Sequence, residues 1–94
     1  METEIKKMKF EAGQRFENPM SYWEFDAAQI LKIEEDGRIL MKRNINQTEI
    51  DRNKPIYAYH TEIGLRMILS AFDFQFVGKA YVDIPKGLNN IPNA

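Results

Sequence analysis

The sequence predicts an α+β domain: a small curled antiparallel sheet, or partly open barrel, of four to six short strands with one helix at about residues 61–72. Three observations lead there. Two strand-like segments, Ala28-Gln29-Ile30-Leu31-Lys32-Ile33 and Ile39-Leu40-Met41, flank the turn-like tripeptide Glu35-Asp36-Gly37. Several further short segments alternate apolar with polar residues, as half-buried strands do. A single stretch after Thr61 carries apolar residues at helical spacing. An all-β small barrel is the alternative architecture.

The first element expected is a strand within residues 5–17, where Lys7, Lys9 and Glu11 alternate with Met8, Phe10 and Ala12. Gly13-Gln14 reads as a bend, after which Arg15-Phe16-Glu17 resumes extended structure. Asn18-Pro19-Met20-Ser21 reads as a loop, because the residue before proline avoids helix.

The hairpin follows, and its register can be argued. A two-residue loop at Asp36-Gly37 would set Ile33 against Leu40 and Leu31 against Lys42, mixing both faces. A three-residue loop pairs Glu34 with Arg38, Ile33 with Ile39 and Leu31 with Met41. One face is then apolar, and a one-residue slip would expose it. Gly37 suits the position that needs a positive φ. A helix over residues 21–35 competes, since Ser21-Tyr22-Trp23-Glu24 resembles a capping box and Ala27, Ala28 and Gln29 favour helix. The strand reading is preferred: Trp23, Phe25, Ala27, Leu31 and Ile33 share a strand face interrupted only by Gln29, and Ile39-Leu40-Met41 needs a partner.

Asn44 to Lys54 is polar, and Asp51-Arg52-Asn53-Lys54-Pro55 reads as a loop. Ile56-Tyr57-Ala58-Tyr59 has strand composition. Thr61 can cap a helix that places Leu65, Ile68, Leu69 and Phe72 on one face. Phe72, Phe74 and Phe76 then alternate as a strand would, Gly78-Lys79 can turn the chain, and Ala80 to Ile84 can pair back. Residues 1–85 are therefore expected to form one domain. The Gly-, Asn- and Pro-containing segment 86–94 is expected to be a flexible tail.

Composition narrows the chemistry. With 13 basic and 14 acidic residues interspersed, the formal charge is −1, which suits neither an obligate polyanion binder nor an acidic mimic of nucleic acid. The absence of cysteine excludes disulfides, thiolate metal sites and thiol catalysis. The five glycines match neither a dinucleotide fingerprint nor a phosphate-binding loop, and neither serine lies in a nucleophile elbow. His60 is the sole histidine and reads as a boundary residue. Glu34-Glu35-Asp36 reads as a solvated turn and Glu24 with Asp26 as a solvated face, so no metal or cofactor is expected. The opening Met1-Glu2-Thr3-Glu4-Ile5-Lys6-Lys7 lacks the apolar core of a signal peptide and no run reaches spanning length, so the expected location is cytoplasmic, without membrane contact.

What remains is binding. The expected function is a small non-catalytic protein–protein interaction module, of adaptor or inhibitor type, whose partner is another protein or a second copy of the chain. Its expected contacts are Met20, Tyr22, Trp23 and Phe74, because large amphipathic or aromatic side chains anchor interfaces. The phenylalanine-rich stretch exceeds what one small sheet face easily hides. The alternative is a nucleic-acid-binding small barrel with a basic and aromatic sheet face formed by Lys32, Lys42, Arg43, Tyr57 and Tyr59. A third reading is a small-molecule pocket lined by phenylalanines.

Overall fold

A computed structural model describes residues 2–18, 27–44, 56–81, 83, 84 and 86 of the chain. Its elements are α1 (Glu2–Lys7), β1 (Gln14–Glu17), β2 (Ala27–Ile33), β3 (Ile39–Asn44), β4 (Ile56–His60), α2 (Glu62–Ala71) and β5 (Gln75–Lys79). The strands form one antiparallel five-stranded sheet in the order β4-β3-β2-β1-β5. It does not close into a barrel: β4 and β5 are its edges. The α+β class stands, with two helices among the described residues where one was expected.

The hairpin tip closes as its turn chemistry dictates. The Glu34 N–H donates to the Arg38 carbonyl at 2.8 Å, and the Gly37 N–H to the Glu34 carbonyl at 3.0 Å. Gly37 has φ 94°, the left-handed region that glycine occupies without a steric penalty. Ile33 faces Ile39 as expected. One step further the register changes: Ile30, not Leu31, stands opposite Met41, because Leu31 is the extra residue of a β-bulge. Without that bulge, strict alternation would turn Gln29 to the helix-covered face and Ile30 away from it. The bulge reverses both, so Ala28, Ile30, Ile39 and Met41 enter the core. The opposite face is not simply solvated either, since Ala27, Gln29 and Leu40 are also buried. Unbroken apolar runs signal strands covered on both faces.

The amino-terminal strand expected over residues 5–12 is corrected. Residues 2–7 form α1, and extended pairing begins only at Gln14. Glu and Lys are good helix formers, and Lys6 and Lys7 in the last turn complement the helix dipole. Ile5 and Phe10 are buried and Met8 packs at the core's margin, but Ala12 is exposed, so the alternation ends there.

Thr61 caps α2, its Oγ1 accepting from the Gly64 N–H at 3.0 Å. Leu65 and Leu69 turn into the core, while Ile63 and Met67 face outward. Since α2 joins the two edge strands β4 and β5, the chain crosses the sheet on that face. Arg66 ties the helices together: its guanidinium donates to the carbonyls of Ile5 at 2.7 Å and Met8 at 2.6 Å, and lies 4.3 Å from the centre of the Phe10 ring.

The segment after α2 also departs from expectation. Phe72 is the helix C-cap, its N–H donating to the Ile68 carbonyl. Asp73 takes φ 55° and the Phe74 N–H donates to the Leu69 carbonyl, so the helix ending consumes residues read as strand. Gly78 does not turn the chain: it sits inside β5, beside the register shift between Phe76 and Gly78. Ala80, Tyr81, Asp83 and Ile84 do not pair back as a strand. Instead the Ala80 N–H donates to the Gly13 carbonyl at 2.9 Å.

Candidate functional site

Met20, Tyr22 and Trp23 lie outside the described residues, as do Glu24, Asp26 and all of the expected tail except Lys86. Phe74 is described, and it does not lie at the surface of the chain. It is 4% exposed within the core, because the tight end of α2 directs it inward. Several apolar residues do face solvent, Ile63 and Met67 of α2 among them, and four of them follow Phe74 in the chain: Phe76, Val77, Tyr81 and Ile84.

These residues gather at one end of the sheet. Phe76 packs against Phe16, ring centres 5.8 Å apart, yet remains partly exposed, since among the described residues no further strand lies outside β5. Val77 is the bulged residue between the pairs Phe16–Phe76 and Arg15–Gly78, and it is 50% exposed. The turn at Gly13 meets the end of β5. Its φ is 92°, and an added Cβ would lie 2.7 Å from the Ala80 carbonyl oxygen. The buried Gln29 amide donates to the carbonyls of both Gly13 and Ala80, at 3.1 and 3.2 Å. Beside this corner opens a pocket of about 540 Å³, lined by Ala12, Ile30, Leu31, Ala80 and Ile84 with Lys79 and Tyr81 among its polar groups. None of the described residues lining this pocket is a phenylalanine. At its mouth the Tyr81 hydroxyl donates to Asp83 at 2.8 Å, which holds its pKa above the usual phenol value.

The expected basic and aromatic face is assembled in part. Tyr57, Lys42, Gln29 and Arg15 form one cross-strand row, and Tyr59, Leu40 and Lys32 another, all facing away from the helices. Arg43 does not join them. It pairs with Ile56 and Ala28 on the helix-covered side, where burial lowers its pKa. The cations near the hairpin tip already have acidic neighbours. Lys32 is 2.9 Å from Glu34, and Arg38 is 2.8 Å from Asp36 and 4.6 Å from the centre of the Tyr59 ring. Accordingly the Glu34 carboxylate raises the Lys32 pKa, and the Arg38 backbone N–H and guanidinium lower that of Asp36.

His60 is the other notable group. It ends β4 opposite Ile39, is 2% exposed, and neither ring nitrogen has a hydrogen-bond partner. Burial first, and then the Arg43 charge, push its pKa from 6.5 down to about 4. The ring is therefore neutral near pH 7. Sequence reading placed it at the boundary of a helix but gave no sign of this enclosure.

No helix among the described residues is long and apolar enough to cross a membrane. No protein-family model, curated protein or solved structure matches the chain.

Proposed function

We propose that the chain is a small non-catalytic protein-binding module whose contact surface is the open edge of β5. The observation that supports this most is the coincidence of an unpartnered edge strand, the exposed Phe76, Val77 and Tyr81, and an apolar pocket at the strand's end. An extended partner segment gains main-chain hydrogen bonds at such an edge and specificity from pockets that accept alternate side chains. The pocket volume lies within the range that encloses small ligands, so it can seat a large apolar side chain. The occupant favoured here is an extended, apolar segment of another polypeptide.

The nucleic-acid reading retains a row of Tyr57 and Lys42 beside Tyr59 and Lys32 on one face. It is weakened by Arg43 lying on the other side and by the carboxylates at Lys32 and Arg38, which reduce the local positive potential.

A display selection with random peptides tests the proposal. Selected sequences should be extended and apolar, and the substitutions Val77→Lys and Tyr81→Ser should weaken their binding at least about tenfold, or 1.4 kcal/mol. Both changes lie at exposed positions and should leave the fold intact. Unchanged peptide affinity in both variants refutes the β5 surface. Oligonucleotide binding that weakens steeply with salt would instead assign the Lys42–Tyr57 face. Selection of the chain's own sequence would make the partner a second copy.

A further inference from the structure

We propose that His60 is an acid-sensitive switch at the β4–α2 corner: protonation of its enclosed ring opens that corner while the central strands stay paired. The geometry carries this. His60 is the last residue of β4 and the residue before the Thr61 cap, so it cannot move without disturbing the start of α2. Its ring lies on the side of the sheet shared with Ala58, Ile39 and Met41, with neither nitrogen bonded.

A neutral imidazole leaves one donor and one acceptor unsatisfied, which a buried site tolerates at moderate cost. An imidazolium adds a second donor and a full charge. The charged groups around the site offer no described acceptor. From β3, Arg43 acts on the ring with a like charge. On α2, Glu62 and Arg66 are engaged with one another at 3.1 Å. On β4, Tyr57 and Tyr59 lie on the opposite face. Among the described residues, that leaves release to water as the way to solvate the proton. The element that can yield is the corner, because among the described strands β4 is an edge that pairs with β3 alone.

Opening would free the cap bond from Gly64 to Thr61 and uncover Ala58 and Leu65, which are buried at neutral pH. The consequence is an apolar surface that exists only under acid conditions, at the sheet end opposite β5.

Amide exchange measured per residue near pH 7 and near pH 5, corrected for intrinsic rates, tests this directly. With the ring at about 4 when enclosed and 6.5 when released, the opening constant for residues 56–65 should rise about 20-fold from pH 7 to pH 5. Residues 28–31 and 39–41 should stay more protected than 56–65 at both pH values, because they open only with the whole sheet, which the same proton also favours. The substitution His60→Leu should abolish the rise, and His60→Gln serves the same purpose if the leucine variant does not fold. Independently, the ring proton shift of the wild-type chain should titrate well below 6.5. A titration at or above 6.5 overturns the proposal. So does an opening constant that is the same for 56–65 as for 39–41, or an unchanged acid response in a folded variant.

Discussion

Arg66→Met isolates what one guanidinium contributes to holding the two helices together. The variant keeps an apolar stem over Phe10 but removes the donors to the Ile5 and Met8 carbonyls, 2.7 and 2.6 Å away. Hydrogen bonds to a charged group contribute about 1.5–3 kcal/mol each when desolvated. The Arg66 side chain is 23% exposed, so water regains part of that, and about 1 kcal/mol per bond is the appropriate figure. Loss of the guanidinium over the ring adds about 0.5–1 kcal/mol. The exposed pair with Glu62 adds little. The expected cost is therefore about 3 kcal/mol, or a fall in Tm of roughly 10–20 °C for a chain of this size. Urea unfolding followed by circular dichroism measures it, with the slope m unchanged because the surface exposed on unfolding is the same. Arg15→Met is the control: its ion pair with Glu17 at 2.9 Å is exposed on both sides and should contribute less than about 0.5 kcal/mol. If the two arginine variants lose equal stability, or Arg66→Met loses under 0.5 kcal/mol, the helix–helix tie is not made as described.

Three further outcomes follow from particular contacts. Gly13→Ala and Gly37→Ala both force alanine to positive φ, but only the first also drives a Cβ to 2.7 Å from the Ala80 carbonyl oxygen. Thermal unfolding should show Gly37→Ala losing about 1 kcal/mol and Gly13→Ala at least about 2 kcal/mol more. Phe74→Ala should cost about 3–5 kcal/mol by urea unfolding as a core truncation, whereas an exposed residue would cost under 0.5 kcal/mol. The lowered His60 pKa means that the unfolded chain takes up the proton first, so stability is full above pH 6.5 and declines as pH falls toward about 4. That loss should approach about 3 kcal/mol in the wild type and be absent from this window in His60→Leu.

Local chemistry was legible where it was strong. Glu35-Asp36-Gly37 identified its own loop, and Thr61 marked its cap, because one glycine or one hydroxyl decides each geometry. The bulge at Leu31 was not read, although Gln29 interrupting an apolar strand face was its signal. Its reason is tertiary: Gln29 binds the Gly13 and Ala80 carbonyls, and Ala80 lies 51 positions away. Residues 7–12 misled because the alternation of Lys7, Lys9 and Glu11 with Met8 and Phe10 belongs to a segment between α1 and β1 that packs Phe10 inward without pairing as a strand. The phenylalanine stretch correctly signalled apolar surplus, but its periodicity crossed a helix end, so the buried member is Phe74 and the exposed ones are its neighbours. The pocket could not be foreseen, since it joins residues from β1's approach, β2 and the segment after β5.

The account stands or falls on the free edge of β5. Hydrogen–deuterium exchange on residues 75–79, with and without a selected apolar peptide, addresses the main chain itself. In the isolated chain the outward amides should exchange quickly, and with peptide bound they should slow about tenfold or more while residues 56–60 at the opposite edge remain unchanged. Fast exchange at 75–79 in the presence of saturating peptide would contradict strand addition at this edge.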